Sequence, residues 1–107
     1  MVKLTFYTVL CSVWAYEALA EPIKITEATY GILKSPVASE RCDAIAAVSK
    51  ECDGLEICSL RVGPDLCLGI DPASGKTKEL LVQYKCGEKR SYSTVAKDEA
   101  SAEVDCE

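Results

Sequence analysis

Asp71, Gly75 and Lys78 have the residue types and spacing in this sequence that best suit chemistry with a ligand. They lie in Gly69-Ile70-Asp71-Pro72-Ala73-Ser74-Gly75-Lys76-Thr77-Lys78-Glu79-Leu80, a glycine-rich loop that runs into an apolar alternation. A carboxylate accepts hydrogen bonds from two neighbouring hydroxyls, an ammonium donates to others, and a glycine lets the main chain approach a ring closely. The set therefore suits a polyol. The same residues also make an ordinary surface turn, which Asp-Pro opens and Gly75 completes while Lys78 is solvated.

Other chemistries fit less well. The sequence has no His, so no imidazole base stands beside a Ser or Cys nucleophile. Paired carboxylates can act as acid and base, but nothing singles out a pair among the acidic residues. The expectation is a binding protein rather than an enzyme, with no cofactor. A zinc site is also disfavoured, because there is no His and no Cys-x-x-Cys pair. The formal net charge of −5 repels phosphate backbones and anionic lipid heads. Lys76-Thr77-Lys78 and Lys85 with Lys89-Arg90 are too short, and too diluted by Glu, to form a nucleic-acid stripe.

The N-terminus has the order of an export signal: a charge at Lys3, an apolar run from Leu4 to Trp14, and small residues at Ala18 and Ala20. A membrane anchor would need roughly 20 consecutive apolar residues, and Glu17 interrupts this run. The expectation is cleavage after Ala20, no membrane insertion, and a secreted domain, extracellular or periplasmic, beginning at Glu21. Six cysteines then remain, Cys42, Cys52, Cys58, Cys67, Cys86 and Cys106, while Cys11 leaves with the signal. An even count in a small exported chain reads as three disulfides, with fifteen connectivities open. A domain of this size has a marginal core and needs such staples.

The elements that must hold the loop follow from periodicity. Residues 23–30 alternate apolar and polar, with Ile23, Ile25, Ala28 and Tyr30 inward and a one-residue slip near Glu27, which predicts a strand with a bulge. Gly31 ends it, and residues 32–38 form a loop turning at Ser35-Pro36. Residues 43–52 predict a helix: Ala44, Ala46 and Ala47 favour it, Ile45, Val48 and Cys52 share a face, Asp43 caps it, Lys50 suits its last turn, and Gly54 lies past its end. Residues 56–62 alternate again, Gly63-Pro64-Asp65 breaks them, and a loop follows to Gly75. Residues 79–85 form a strand with Leu80, Val82 and Tyr84 on one face. Strands around one helix make an α+β class. Residues 88–107 read as a polar tail that would be disordered unless Cys106 ties it back.

The order Ala28-Thr29-Tyr30-Gly31, Cys42, Cys52-Asp53-Gly54-Leu55-Glu56-Ile57-Cys58, Asp71-Pro72 with Gly75, Lys78 and Leu80, then Val82-Gln83-Tyr84-Lys85-Cys86 resembles the rhamnose- or galactose-binding lectin domain of the sea-urchin-egg-lectin type. The resemblance spans residues 23–87. It implies a small antiparallel β-sandwich packed on one helix, with long disulfide-tied loops, that binds galactosyl or rhamnosyl glycans without catalysis. It implies sugar contacts from Tyr30, Asp71, Gly75 and Lys78. Tyr30 also suits a core aromatic whose hydroxyl finds a partner. The sequence departs from the family where it lacks an N-terminal strand with a sugar-binding Glu and two early cysteines, where Ile32 follows Tyr-Gly in place of Arg, and where Ala73 replaces the loop cysteine.

The resemblance supports a local Cys52–Cys58 pair, which a helix end, a Gly-containing turn and the next strand also bring together. It pairs the helix-leading cysteine with one in the Asp-Pro loop, for which Cys67 is the nearby substitute, giving Cys42–Cys67. The family partner of Cys86 is missing, so Cys86–Cys106 remains, with residues 87–105 looping out and returning along the edge that the absent first strand leaves open. The expected organisation is a signal at 1–20, a lectin-like domain at 21–87, and a polar tail at 88–107 tied by Cys106. The alternative is a disulfide scaffold, an inhibitor or effector, that binds a glycoprotein or another protein without the sugar site.

Overall fold

The computed structural model describes residues 21–88 and 90–107. The expected signal and its cleavage site lie outside the described residues. The chain forms β1 (Ile23–Gly31), β2 (Arg41–Asp43), α1 (Ile45–Cys52), β3 (Ile57–Arg61), β4 (Glu79–Cys86), β5 (Arg90–Lys97) and β6 (Ser101–Asp105), with short 3-10 turns at Ala38–Glu40 and Pro64–Cys67. One antiparallel sheet has the order β2-β1-β4-β5, and a second pairs β3 with β6. This is a small α+β domain stapled by three disulfides.

β1 is central because its alternation buries one face completely. Ile23, Ile25, Ala28 and Tyr30 are all buried, and the register against β4 shifts between Ile25 and Glu27. The extra residue keeps the apolar set on one face when the alternation slips, which is what a bulge does. Their partners Leu80, Val82 and Tyr84 on β4 are buried as well. Each fully buried large side chain contributes roughly 1.5–3 kcal/mol. Gly31 has φ +143°, and a Cβ there would stand 2.1 Å from the Glu40 carbonyl. The close pass of β2 over the end of β1 therefore requires glycine.

The helix packs on β1 and β3 through Ala44, Val48 and Cys52. It begins at Ile45 rather than at Asp43. Asp43 is held in β2, and the Ala44 N–H is taken by the Ala28 carbonyl at 2.9 Å. Sheet pairing thus claims the residues that propensity assigned to the first turn. Asp43 still serves the helix, because its Oδ1 accepts the Ile45 N–H at 2.9 Å. Beyond the helix, residues 53–55 close back on β1: Asp53 Oδ1 accepts the Ile25 N–H at 2.7 Å, and Ile23 donates to the Leu55 carbonyl at 2.8 Å.

The C-terminal segment is not a polar tail. Residues 90–97 and 101–105 form β5 along the free edge of β4 and β6 alongside β3. Ala102 and Val104 enter the core, fully buried. Segment 88–107 therefore belongs to the same folded unit as residues 21–87. Its alternation uses Ala102 and Val104 between charged neighbours, which reads as low hydrophobicity over any window. The disulfides are Cys42–Cys67, Cys52–Cys58 and Cys86–Cys106, with Cα separations of 6.2, 5.3 and 5.4 Å. They tie β2 to the turn before the Asp71 loop, α1 to β3, and β4 to the end of β6. No helix among the described residues is long and apolar enough to cross a membrane.

Candidate functional site

Tyr30, Asp71, Gly75 and Lys78 all line one cleft of about 780 Å³, together with Arg61, Asp65, Asp98 and Glu99. The cleft lies between the Asp71 loop, the turn after β3, and the 98–100 turn that carries the chain from β5 to β6. That last turn is pinned on both sides. Asp98 donates its N–H to the Lys78 carbonyl at 2.9 Å, and Glu99 donates its N–H to the Val62 carbonyl at 2.9 Å. Glu99 sits in the left-handed region, at φ +69°.

Lys78 organises the cleft floor. Its side chain is only 5% exposed. The ammonium donates to the Ala73 carbonyl at 3.0 Å and to the Lys76 carbonyl at 2.5 Å. It also lies 3.1 Å from Asp71 Oδ1 and 3.6 Å from Asp98 Oδ2. Two of the three ammonium protons go to the carbonyls, and the charge is ion-paired with Asp71 and Asp98. Lys78 is thus a buried strut, and the expected role of donor to a ligand is already taken by the protein.

Tyr30 is committed in the same way. It is fully buried at the inner end of β1, and its hydroxyl donates to Asp98 Oδ1 at 2.5 Å. Burial raises its phenol pKa well above the ordinary value, and the Asp98 carboxylate adds to that. Asp98 accepts on both oxygens, because Oδ2 also takes the Lys78 N–H at 3.1 Å. Asp98 is the residue that sequence reading missed. The signal was the charged Lys97-Asp98-Glu99 turn between two weak alternations, legible only once 90–97 and 101–105 are seen as strands.

Asp71 is the open member of the network. Oδ1 accepts the Ala73 N–H at 3.0 Å, which fixes the loop, and faces Lys78. The Ala73 N–H holds the carboxyl pKa below its ordinary value, with Lys78 helping and partial burial opposing. Oδ2 has no hydrogen-bond partner among the described residues. Gly75, at φ +81°, has open space where a Cβ would be. Across the loop, Lys76 donates to Glu40 Oε2 at 2.9 Å, tying the Asp71 loop to the 38–40 turn. The side chains of Arg61, Asp65 and Glu99 have no hydrogen-bond or ion-pair partner among the described residues. No cluster of three or more His, Cys, Asp or Glu side chains suited to a metal ion occurs among the described residues.

Compared with family models, with curated proteins and with solved structures, the chain finds no match in any of the three.

Proposed function

We propose that the chain is a secreted, non-catalytic carbohydrate-binding module that takes a galactosyl or rhamnosyl sugar in the Asp71 cleft. The observation that carries this reading is the free Asp71 Oδ2. Among the described residues it is the one carboxylate oxygen of the Tyr30–Asp98–Lys78–Asp71 network left to accept from outside, and Gly75 in the same loop has open space where a Cβ would be. A rigid acceptor of lowered pKa stays ionised at neutral pH and receives sugar hydroxyls without reorganising. Lys78 and Tyr30 then act by holding Asp71 and Asp98 in place, and the sugar touches Asp71, the Gly75 main chain and the outer rim. Isothermal titration of the disulfide-intact protein with methyl galactoside and rhamnose tests it. Asp71→Asn is the informative variant, since the amide keeps an oxygen for the Ala73 N–H. Binding by the native protein and its loss in a normally melting Asp71→Asn support the reading, and equal binding by both overturns it. Export is tested by intact mass, which should begin at Glu21.

One observation favours the protein-binding alternative. Leu68 and Ile70 stand 92% and 66% exposed on the turn that leads into Asp71, and Leu68 holds φ +61°. An apolar pair so presented suits contact with another protein. Under that reading Leu68→Ser with Ile70→Ser abolishes partner capture, whereas sugar affinity depends on Asp71.

A further inference from the structure

We infer that the cleft selects neutral sugars over carboxylate-bearing ones, and that Glu99 is the residue that sets this preference; the inference rests on the carbohydrate reading above. The charges that line the cleft divide into three groups. Lys76 is neutralised by Glu40 outside the cleft. The Asp71–Lys78–Asp98 network carries one net negative charge, with its only cation buried and fully engaged. Arg61, Asp65 and Glu99 carry one more, and none of them is paired among the described residues. A sugar entering the cleft thus meets acceptors and negative potential, with Arg61 as the one unpaired cation on its wall among the described residues. Hydroxyl groups can donate to such a wall. A uronate or sialate carboxylate can only be repelled by it, except at Arg61.

Glu99 stands out from Asp65 in this respect. Its backbone is held in a left-handed conformation on a turn whose flanking N–H groups bond to Val62, Lys78 and Lys97 carbonyls. The turn is also anchored from beneath by Asp98. Glu99, exposed and lining the cleft, is therefore carried on fixed backbone next to Asp98, which holds the floor. A glycine would relieve the backbone at this position, so Glu99 sits there at a conformational cost.

The experiment compares the affinities of methyl galactoside and methyl galacturonide by titration at low ionic strength, where the Debye length exceeds about 10 Å. The native protein should prefer the neutral sugar by about tenfold or more, the size that one like-charge contact gives in a partly desolvated cleft. Glu99→Gln should shrink that ratio by about threefold or more, and Glu99→Gly, which the left-handed backbone accepts, should shrink it alike. Arg61→Gln should enlarge it. Thermal melts confirm that each variant is folded. Equal affinity of the native protein for both sugars overturns the inference, as does an unchanged ratio in both Glu99 variants; in either case the carbohydrate reading stands if Asp71→Asn abolishes binding. Absence of binding to any neutral or acidic sugar overturns the carbohydrate reading and the inference together.

Discussion

The Lys78 ammonium and Asp71 Oδ1 stand 3.1 Å apart on the floor of the cleft, and only the aspartate has capacity left over. The lysine is buried, hydrogen-bonded to two carbonyls and ion-paired with Asp71. The aspartate is half open and keeps one oxygen for solvent or ligand. Two residues that look equivalent in a loop motif therefore have different duties: one holds the loop and the other faces outward.

Replacing the strut should cost more than replacing the outward group. Lys78→Met leaves two carbonyls and two carboxylates around an apolar side chain. Breaking a buried charge network by removing one partner costs about 3–5 kcal/mol, and the partial exposure of Asp71 and Asp98 puts this case at the lower end. Asp71→Asn should lose distinctly less, as for a part-exposed polar change. Chemical denaturation of both variants checks the order, and a Lys78→Met protein as stable as the native one would contradict the strut.

The pH dependence follows from two groups shifted in opposite directions. Asp71 titrates below its ordinary value, because the Ala73 N–H and then Lys78 favour the carboxylate. Its contribution is complete above the unfolded value of about 4 and is lost as pH falls through the lower folded value. Tyr30 titrates above its ordinary value, because burial and then Asp98 disfavour the phenolate. Its contribution is complete below about pH 10 and is lost as pH rises beyond that. Melting temperatures should therefore fall at both ends. Asp71→Asn should flatten the acid limb and Tyr30→Phe the alkaline limb, each leaving the other limb in place.

How far the sequence discloses this molecule depends on how apolar each element is. β1 and β4 are legible because Ile, Val, Leu and Tyr occupy every inward position but Ala28, and even the bulge shows as a slip in the alternation. β6 buries only Ala102 and Val104 between Ser, Glu and Asp, so its periodicity is present but faint. β5 is an edge strand whose inward residues Tyr92, Thr94 and Ala96 remain partly exposed, with Tyr92 stacked on Tyr84 at 5.6 Å. Edges need no strongly apolar pattern, since one side faces water. The cleft is half legible for the same reason. Asp71, Gly75 and Lys78 lie in one loop, but Asp98 and Glu99 arrive from a turn that exists only because those two faint strands pair. The inward direction of Lys78 is a tertiary fact that residue type alone opposes.

The Cys86–Cys106 bridge should matter to the cleft although it lies far along β6 from the 98–100 turn. It closes 20 residues that include β5, the turn and β6. Loop-closure entropy gives such a bridge about 3 kcal/mol. Cys86→Ser with Cys106→Ser should lose roughly that amount. Amide exchange in β6 should rise more than in β1, because β6 otherwise pairs with β3 alone and reaches β4 through the Tyr84 hydroxyl at Asp105. A uniform rise in exchange would show that the two sheets open as one unit.

Gly31 offers the sharpest single-residue test of the fold around the cleft. A methyl group there meets the Glu40 carbonyl at 2.1 Å and the Arg41 Cα at 2.7 Å, and both are backbone atoms. The backbone also sits at φ +143°, which L side chains rarely adopt. Neither obstacle can be relieved by a rotamer change, so β2 must lift from β1 or the end of β1 must twist. Lifting β2 breaks the Ile32 N–H bond to the Glu40 carbonyl and pulls on Cys42, whose disulfide leads to Cys67 at the entrance of the Asp71 loop. Gly31→Ala should therefore lose about 3 kcal/mol or more, through steric overlap and backbone strain acting together. It should also weaken ligand binding in the protein that remains folded, because Glu40 carries the Lys76 contact on the far side of the loop. Gly54→Ala is the matched control: it also has positive φ but no atom within 4 Å of the added carbon. It should lose about 1 kcal/mol from backbone conformation alone. Equal losses in the two variants, measured by denaturant unfolding, would show that the β1–β2 approach is looser than the structure has it.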